Sequence, residues 1–380
     1  MTLKLLFQFL FGIFSFDKKN MRWFNLKRIV VCILVCPLFL ALLFMNNLFL
    51  ALDFIFFPRF FWQKISNPVF IIAAPRSGTT FLFHSFANNR DHFTAVKLWE
   101  IVFAPSILQK YLIWGIFKLD KLIGAPLKRI ILGLENLVIG KLKTIHLIGL
   151  NMPEEDEGLL VWNLTTLYFN FFYADSKFFQ EFLQFDDTMP EKRKQRIMNR
   201  YFRLVQRHNF VFNRNNSRRF VSKNPLMMNK IGALSRIFPD AKILNINRNP
   251  KETIPSTIHL GHSLYGIFTS IPQNERVKQE TKSLLISWYK MAEENLNLHY
   301  NNQFLKINFY DLVDTNSNEW QRISNFLEFP EGIIKMDERK EKVGHKSKSS
   351  YEKLNEEETA AILEELAFLK PFCSPSKSQK

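Results

Sequence analysis

Val69-Phe70-Ile71-Ile72-Ala73-Ala74-Pro75-Arg76-Ser77-Gly78-Thr79-Thr80 is the stretch on which the fold turns. Its first five residues are apolar without alternation, the pattern of a strand buried on both faces in a parallel sheet. A tight loop follows, and Thr79 to Phe86 reads as the helix behind it. Strand, loop and helix in this order make a cradle for phosphate. Gly78 lets the backbone approach an anion closely, and the amides of the helix N-terminus point at it. Ser77, Thr79 and Thr80 bring hydroxyls into the loop, and Arg76 brings a forked cation. Against the nucleotide-triphosphate loop GxxxxGK[ST], Ala73 replaces the first Gly and Thr79 the Lys. No Lys is therefore placed to reach a β/γ-phosphate; the cation has moved into the loop.

Working outward, Arg219 to Lys223, Ala241 to Asn247 and Phe304 to Asn308 read as further strands. Between them, Ile197, Tyr201, Leu204 and Val205, and later Leu284, Trp288, Met291, Asn295 and Leu298, repeat at helical spacing. Strands alternating with helices predict an α/β fold: a P-loop-like parallel sheet flanked by helices. Residues 101–150 are apolar and broken by Gly and Pro, which predicts a helical insertion facing the acceptor or a membrane. Pro153-Glu154-Glu155-Asp156-Glu157 opens another helix, its acids reading as a solvated first turn, with an acceptor-side role left open. The expected organisation is an anchor region over 1–65, one catalytic domain over 66–370 and a polar tail without fixed structure over 371–380.

The chain has 380 residues and a formal net charge of +16. Hydrophobic residues make up 47%, which excludes global disorder. The positive charge favours an anionic partner. Cys32, Cys36 and Cys373 are the only cysteines, so a disulfide scaffold and a Cys-based zinc site are excluded. No metal is expected. Nucleic acid is not an expected partner either, since no recognised binding motif is present.

Ile29 to Leu52 runs without a charge, and about 20 apolar residues span a bilayer core. Lys18, Lys19, Arg22, Lys27 and Arg28 precede the run, so the positive-inside bias puts the N-terminus in the cytoplasm and the remainder across the membrane. Asn46, Asn47 and Asp53 support a competing, monotopic seating. Either way the expected location is a membrane, and the side occupied by the catalytic domain stays open.

Pro75-Arg76-Ser77-Gly78-Thr79-Thr80 resembles the 5′-phosphosulfate loop of sulfotransferases that use PAPS (3′-phosphoadenosine 5′-phosphosulfate). The second signature of that family is Arg with Ser some eight residues later, gripping the 3′-phosphate. Here Arg248-Asn249-Pro250-Lys251-Glu252-Thr253-Ile254-Pro255-Ser256 follows the third strand. The resemblance covers about residues 68–335 and continues in Ser222-Lys223-Asn224-Pro225 and Phe309-Tyr310-Asp311-Leu312. The membrane-associated, carbohydrate-type branch is the more similar one. It implies a P-loop α/β domain, PAPS as sulfuryl donor, and a hydroxyl of a carbohydrate or lipid-linked acceptor. By the same resemblance Arg76, Ser77, Gly78, Thr79, Thr80, Arg248 and Ser256 bind the cofactor, and Lys223 serves the leaving phosphate or the moving group.

An acceptor hydroxyl also needs a base. Soluble relatives carry a His in the strand matching Ser222-Lys223-Asn224-Pro225; its position here is Pro225, which excludes a His base there. Carbohydrate-type relatives use a Glu some twenty-odd residues after the loop, and Glu100 fits that position, with Glu155 and Glu157 as rivals. Lys340 to Lys346 resembles the basic loop that closes over the cofactor in relatives. Two other readings stay open: a P-loop kinase or nucleotide hydrolase, and a membrane protein that keeps the nucleotide-binding fold without catalysis.

Overall fold

The structure is a computed structural model and describes residues 6–7, 26–140, 148–171, 181–268, 275–299, 303–330, 332–334 and 354–376. A long apolar helix α1 (Leu26–Phe56) leads to β1 (Val69–Ile72), α2 (Thr79–Asn88) and the two-residue β2 (Phe93–Thr94). Three helices follow: α3 (Leu98–Phe103), α4 (Ile107–Leu122) and α5 (Pro126–Ile139). A 3₁₀ segment, Asp156–Asn163, precedes α6 (Glu191–Phe212) and β3 (Arg219–Lys223). Then come α7 (Ile231–Ile237), β4 (Lys242–Asn247), α8 (Pro250–Phe268), α9 (Glu275–His299), β5 (Phe304–Asn308) and α10 (Glu356–Glu365).

The five strands are parallel, in the order β2-β3-β1-β4-β5. The chain therefore visits one side of β1 with β2 and β3, then the other with β4 and β5. That reversal makes the carboxyl end of β1 a switch point, where open α/β sheets bind ligands. Register is fixed by Ile71, which lies opposite Lys223 on one side and Leu244 on the other. Both phosphate-loop motifs consequently leave the sheet at the same end.

All four β1 side chains are buried, alternating between two cores. Phe70 and Ile72 join a cluster with Ile197, Tyr201, Leu204 and Trp288, from α6 and α9. Val69 and Ile71 join Leu82, Phe83 and Phe86 of α2. This two-sided burial is why the strand reads as an unbroken apolar run.

Helix α1 contains a stretch, Ile33–Phe56, long and apolar enough to cross a membrane by length and composition. One face is nevertheless fastened to the domain. Asn46 donates to the Val102 carbonyl and accepts from Gln109, and Asn47 donates to the Trp162 carbonyl. Asp53, fully buried, accepts from Ser106 Oγ at 2.8 Å and from the Ile107 and Leu108 amides, so it caps α4 from a distance. It also receives Arg207 Nε at 2.8 Å.

Two expectations change. The acids after Pro153 do not form a solvated helical turn: Lys97 bridges Pro153 in antiparallel fashion, and Asp156 and Glu157 are buried at the start of the 3₁₀ segment. Part of the chain's positive charge is spent on these and other internal acids, with Arg207 on Asp53, Lys230 on Glu157 and Lys223 on Glu155. The expected polar tail is held as far as Ser376: Asn308 Nδ2 donates to the Ser374 carbonyl, and the Ser376 amide and hydroxyl donate to Asp311. Lys340 to Lys346 lie outside the described residues.

Candidate active site

The loop from β1 to α2 turns sharply because two residues sit in the left-handed region, Arg76 at φ 68° and Gly78 at φ 94°. Gly78 is required twice over. A Cβ there would stand 2.5 Å from the Phe309 ring, besides being strained at that φ. Ser77 and Thr79 are buried in the turn, and Gly78 caps α2. From α8, Thr257 Oγ1 donates to the Pro75 carbonyl at 3.2 Å and ties the loop down.

The two signature motifs meet here. Arg76 Nε donates to Ser256 Oγ at 3.1 Å, although 180 residues separate them. Arg248 Nη1 donates to the Arg76 carbonyl at 3.2 Å, and its guanidinium lies 4.2 Å from the centre of the Phe309 ring. Glu252 accepts from Arg248 Nε at 2.9 Å and from the Tyr310 hydroxyl at 2.6 Å. The Asn249 side chain, next in the loop, donates to the Cys373 carbonyl at 3.3 Å. Phe309 and Tyr310 thus brace the loops, and Phe309 also packs in the core with Ile307 and Leu312.

Lys223, at the end of β3, is only 2% exposed. Its ammonium lies 3.4 Å from Thr80 Oγ1, 2.9 Å from Glu155 Oε1 and 3.9 Å from Glu154. Tyr168 donates its hydroxyl to the other Glu155 oxygen at 2.8 Å. Burial, then the neighbouring Glu155 and Glu157 charges, push the Tyr168 phenol well above its ordinary value, so it stays a donor.

Behind Glu155 the next two acids point inward. Asp156 accepts from Ser222 Oγ at 2.9 Å and from the Tyr201 hydroxyl. Burial raises the Asp156 carboxyl to about 7; the hydrogen bonds from Tyr201 and Ser222 oppose that rise, and the adjacent Glu157 adds to it. Glu157 makes a fully buried pair with Lys230 at 3.0 Å and accepts from Asn224 at 3.3 Å. These contacts bolt the acidic segment to β3 and to the turn after it, which fixes Glu155 at Lys223.

Glu100 occupies a different setting. It is the third residue of α3, where its Oε1 accepts from the Lys97 amide in a capping box. Its Oε2 receives His208 Nδ1 at 2.8 Å and faces Lys110 at 3.7 Å. His208 in turn meets Thr94 Oγ1 at 2.8 Å. Burial alone would raise the Glu100 carboxyl, but His208 and Lys110 outweigh it and hold the group below the usual range.

Of the residues expected from sequence, Arg76, Ser77, Gly78, Thr79, Thr80, Lys223, Arg248 and Ser256 lie on the loops and strand ends around this one site. Glu100 is committed to a buried network beside β2. The carboxylate on Lys223 comes instead from Glu155, one of the rivals. Asp156, Tyr201, Ser222 and Lys230 were not anticipated as a set; the run of acids after Pro153 was their one visible trace. The donor set suits a nucleotide carrying phosphates at both ends. It offers three cations, four loop or helix hydroxyls and a helix N-terminus, with one cation-and-hydroxyl pair for each motif.

Comparison with known proteins agrees. The sulfotransferase family model matches residues 68–331. Two curated relatives, both called omega-hydroxy-beta-dihydromenaquinone-9 sulfotransferase Stf3, come from Mycobacterium bovis and Mycobacterium tuberculosis. Each is 28% identical over 186 residues, 47% of this chain and 46% of the relative. The chain thus aligns with about half the length of the curated relatives it matches. Among solved structures, sulfotransferase STF1 from Mycobacterium tuberculosis H37Rv superposes with a TM-score of 0.65 at 16% identity, over 97% of this chain and 92% of that one. Sulfotransferase STF9 from Mycobacterium avium gives 0.61 at 12% identity, over 87% and 83%. These two likenesses establish a shared fold. With the family model covering most of the chain, and the strand-end loops it spans meeting through Arg76, Ser256 and Arg248, this protein belongs to the sulfotransferase family.

Proposed function

We propose that the chain transfers a sulfuryl group from PAPS to a hydroxyl on a lipid-linked or carbohydrate acceptor. The observation that carries this reading is the bond from Arg76 to Ser256 at 3.1 Å, which joins the two phosphate-binding motifs beside Lys223. Arg76 and the amides and hydroxyls of Ser77 to Thr80 hold the 5′ side of the donor. Arg248 and Ser256 hold its 3′-phosphate, with Arg248 exchanging part of its pairing with Glu252. Bound in this way, PAPS supplies an activated sulfuryl group.

The chain's own contribution is positioning and charge. Lys223, buried and hydrogen-bonded to Thr80, offsets the negative charge that builds on the donor side. Glu155 takes the proton of the acceptor hydroxyl, with Tyr168 holding its second oxygen in place. Glu100 serves as a positioning residue, locking α3 through His208 and Lys110.

A lipid-linked acceptor is the favoured class. The segment that starts at Glu155 runs on to Trp162, which stacks on Phe39 of α1 and accepts from Asn47 through its carbonyl. The acceptor side of the site is thereby continuous with the apolar helix. The Stf3 relatives are named for action on a menaquinone derivative, which agrees with this class.

The test is transfer of label from ³⁵S-PAPS to a membrane lipid extract and, in parallel, to a panel of polysaccharides. Label in a lipid band supports the reading, and label in the polysaccharides alone moves the acceptor to carbohydrate. Magnesium-dependent hydrolysis of a nucleoside triphosphate with no sulfuryl transfer would overturn it.

A further inference from the structure

We infer that the protein is seated on one leaflet of an anionic bilayer by a face made of α1, α4 and α5, with the tip of the α4–α5 hairpin inserted and with α1 lying along the leaflet rather than crossing. The juxtaposition behind this is an apolar face on three helices packed in series, flanked by cations, whose longest helix is bonded side-on to the domain.

Among the described residues, every exposed large hydrophobic side chain except Phe7 lies between Val30 and Leu137. Single exposed apolar residues are ordinary; a concentration of them on adjoining elements marks an interaction surface. α1 packs on α4, and α4 on α5, so the face is continuous. The hairpin tip is among its most exposed parts, with Leu122 81% and Ile123 74% exposed. The tip is firmly held: Asp120 accepts from the Leu127 and Lys128 amides at 2.8 and 3.0 Å, and Arg129 donates to the Gly124 carbonyl at 2.8 Å. A fixed turn presenting Leu and Ile outward suits insertion, since little order remains to be gained on binding.

Charge selects the partner. Lys118, Lys121, Lys128 and Arg129 are exposed around the tip, while the acid nearest it, Asp120, is buried in its cap. Trp62, 75% exposed beside Arg59, adds an aromatic of the kind that sits at headgroup level. Apolar face, basic rim and flanking aromatic together match a leaflet with anionic headgroups.

Length argues against crossing. Contacts between α1 and the domain run from Cys36 and Phe39 to Asp53. The part of α1 before them, residues 26–35, is about 15 Å long at 1.5 Å per residue, half of a ~30 Å hydrocarbon core. Were the docked part to span instead, Arg207 and the α4 N-terminus would be drawn into hydrocarbon with it. An in-plane helix leaves the outer residues Leu38, Phe44 and Ile55 in lipid and the domain in water.

The test uses the full chain with an N-terminal epitope tag, added to preformed vesicles of 7:3 phosphatidylcholine:phosphatidylglycerol or of phosphatidylcholine alone. Flotation should show at least tenfold stronger partition to the anionic vesicles. Leu122→Glu with Ile123→Glu should lower partition at least tenfold at an unchanged melting temperature, and Lys118→Glu with Lys128→Glu should remove most of the preference for anionic lipid. Added protease should remove both the tag and the domain. A protected tag beside a digested domain would establish crossing and overturn the seating. Unchanged partition in the tip variant, with a shift from dimer to monomer in detergent, would assign the face to a second copy of the chain and equally overturn it. None of these readouts depends on sulfuryl transfer, so failure of the acceptor reading leaves them interpretable.

Discussion

Glu155→Gln and Glu100→Gln separate catalysis from architecture, because the two carboxylates differ in what surrounds them. Glu155 contacts Lys223 and Tyr168 at the end of β3, with its side chain 23% exposed. Gln keeps its size and one carbonyl acceptor but cannot take a proton. A positioned base contributes roughly 10²–10⁴-fold, or about 3–5 kcal/mol of barrier. Glu155→Gln should therefore cut the single-turnover rate by that factor, with affinity for the donor reduced far less. Glu100 is buried against His208 and Lys110, and its replacement leaves a buried ammonium short of its counter-charge. Losing one partner of a buried pair costs about 3–5 kcal/mol of stability. Glu100→Gln should thus lower the denaturation midpoint, while the rate per folded molecule stays within a few-fold of the parent. The assay is rapid-quench transfer from labelled PAPS at saturating acceptor, normalised to sites titrated with the bisphosphate product. A near-parental rate in Glu155→Gln, with collapse in Glu100→Gln at normal folding, would refute the reasoning and return the base to Glu100.

Arg248→Ala and Ser256→Ala should each weaken binding of the bisphosphate product; a lost charge-assisted bond is worth about 1.5–3 kcal/mol, and unchanged calorimetric affinity in both would remove the 3′-phosphate assignment. Gly78→Ala should abolish that binding, since the new Cβ would sit 2.5 Å from the Phe309 ring at a φ of 94°; a folded variant with parental affinity would show that the loop is not held as described. Asp156 is protonated more readily in the folded chain, at about 7, than as a free carboxyl near 3.8. Its contribution to stability is therefore complete below pH ~4 and is lost as pH rises through about 7. Asp156→Asn should flatten the fall in urea stability between pH 5 and pH 8, and an unaltered slope would exclude the shift.

How much of this was legible in the sequence depended on how local the determinants were. β3 and β5 match their expected ends, because each sets a few apolar residues, Phe220 with Val221 and Phe304, Leu305 with Ile307, directly after a polar stretch, a signal that depends on the local sequence alone. β2 was missed: Phe93 and Thr94 form a strand only because β3 lies beside them, and two residues carry no period. The two loop motifs were legible for the same local reason, each being a strand end, a turn and a helix start within a dozen residues. The surroundings of the two candidate bases were not. Glu100 and Glu155 both fit by spacing, and what distinguishes them is His208 and Lys110 on one side and Lys223 and Tyr168 on the other, brought in from four distant elements.

The acids after Pro153 show why composition misled at that point. In sequence they form a polar run that belongs at a solvated helix end. In the fold Glu155 and Glu157 pair with the buried Lys223 and Lys230, and Asp156 accepts from Tyr201 and Ser222. Asp53 with Arg207, Glu155 with Lys223 and Glu157 with Lys230 bring α1, the acidic segment and the sheet into register. A buried cation without its acid is far costlier than either residue exposed. Lys223 and Lys230, both buried, each hold one acid of the segment, so the pairs specify its placement more than they add stability. That placement sets Glu155 on Lys223 at one end of the segment and Trp162 on α1 at the other. The residue proposed to receive the acceptor's proton and the helix proposed to lie in the membrane are therefore positioned by the same short stretch of chain. A substitution at Lys230, which touches neither donor nor lipid, should consequently disturb both turnover and vesicle binding.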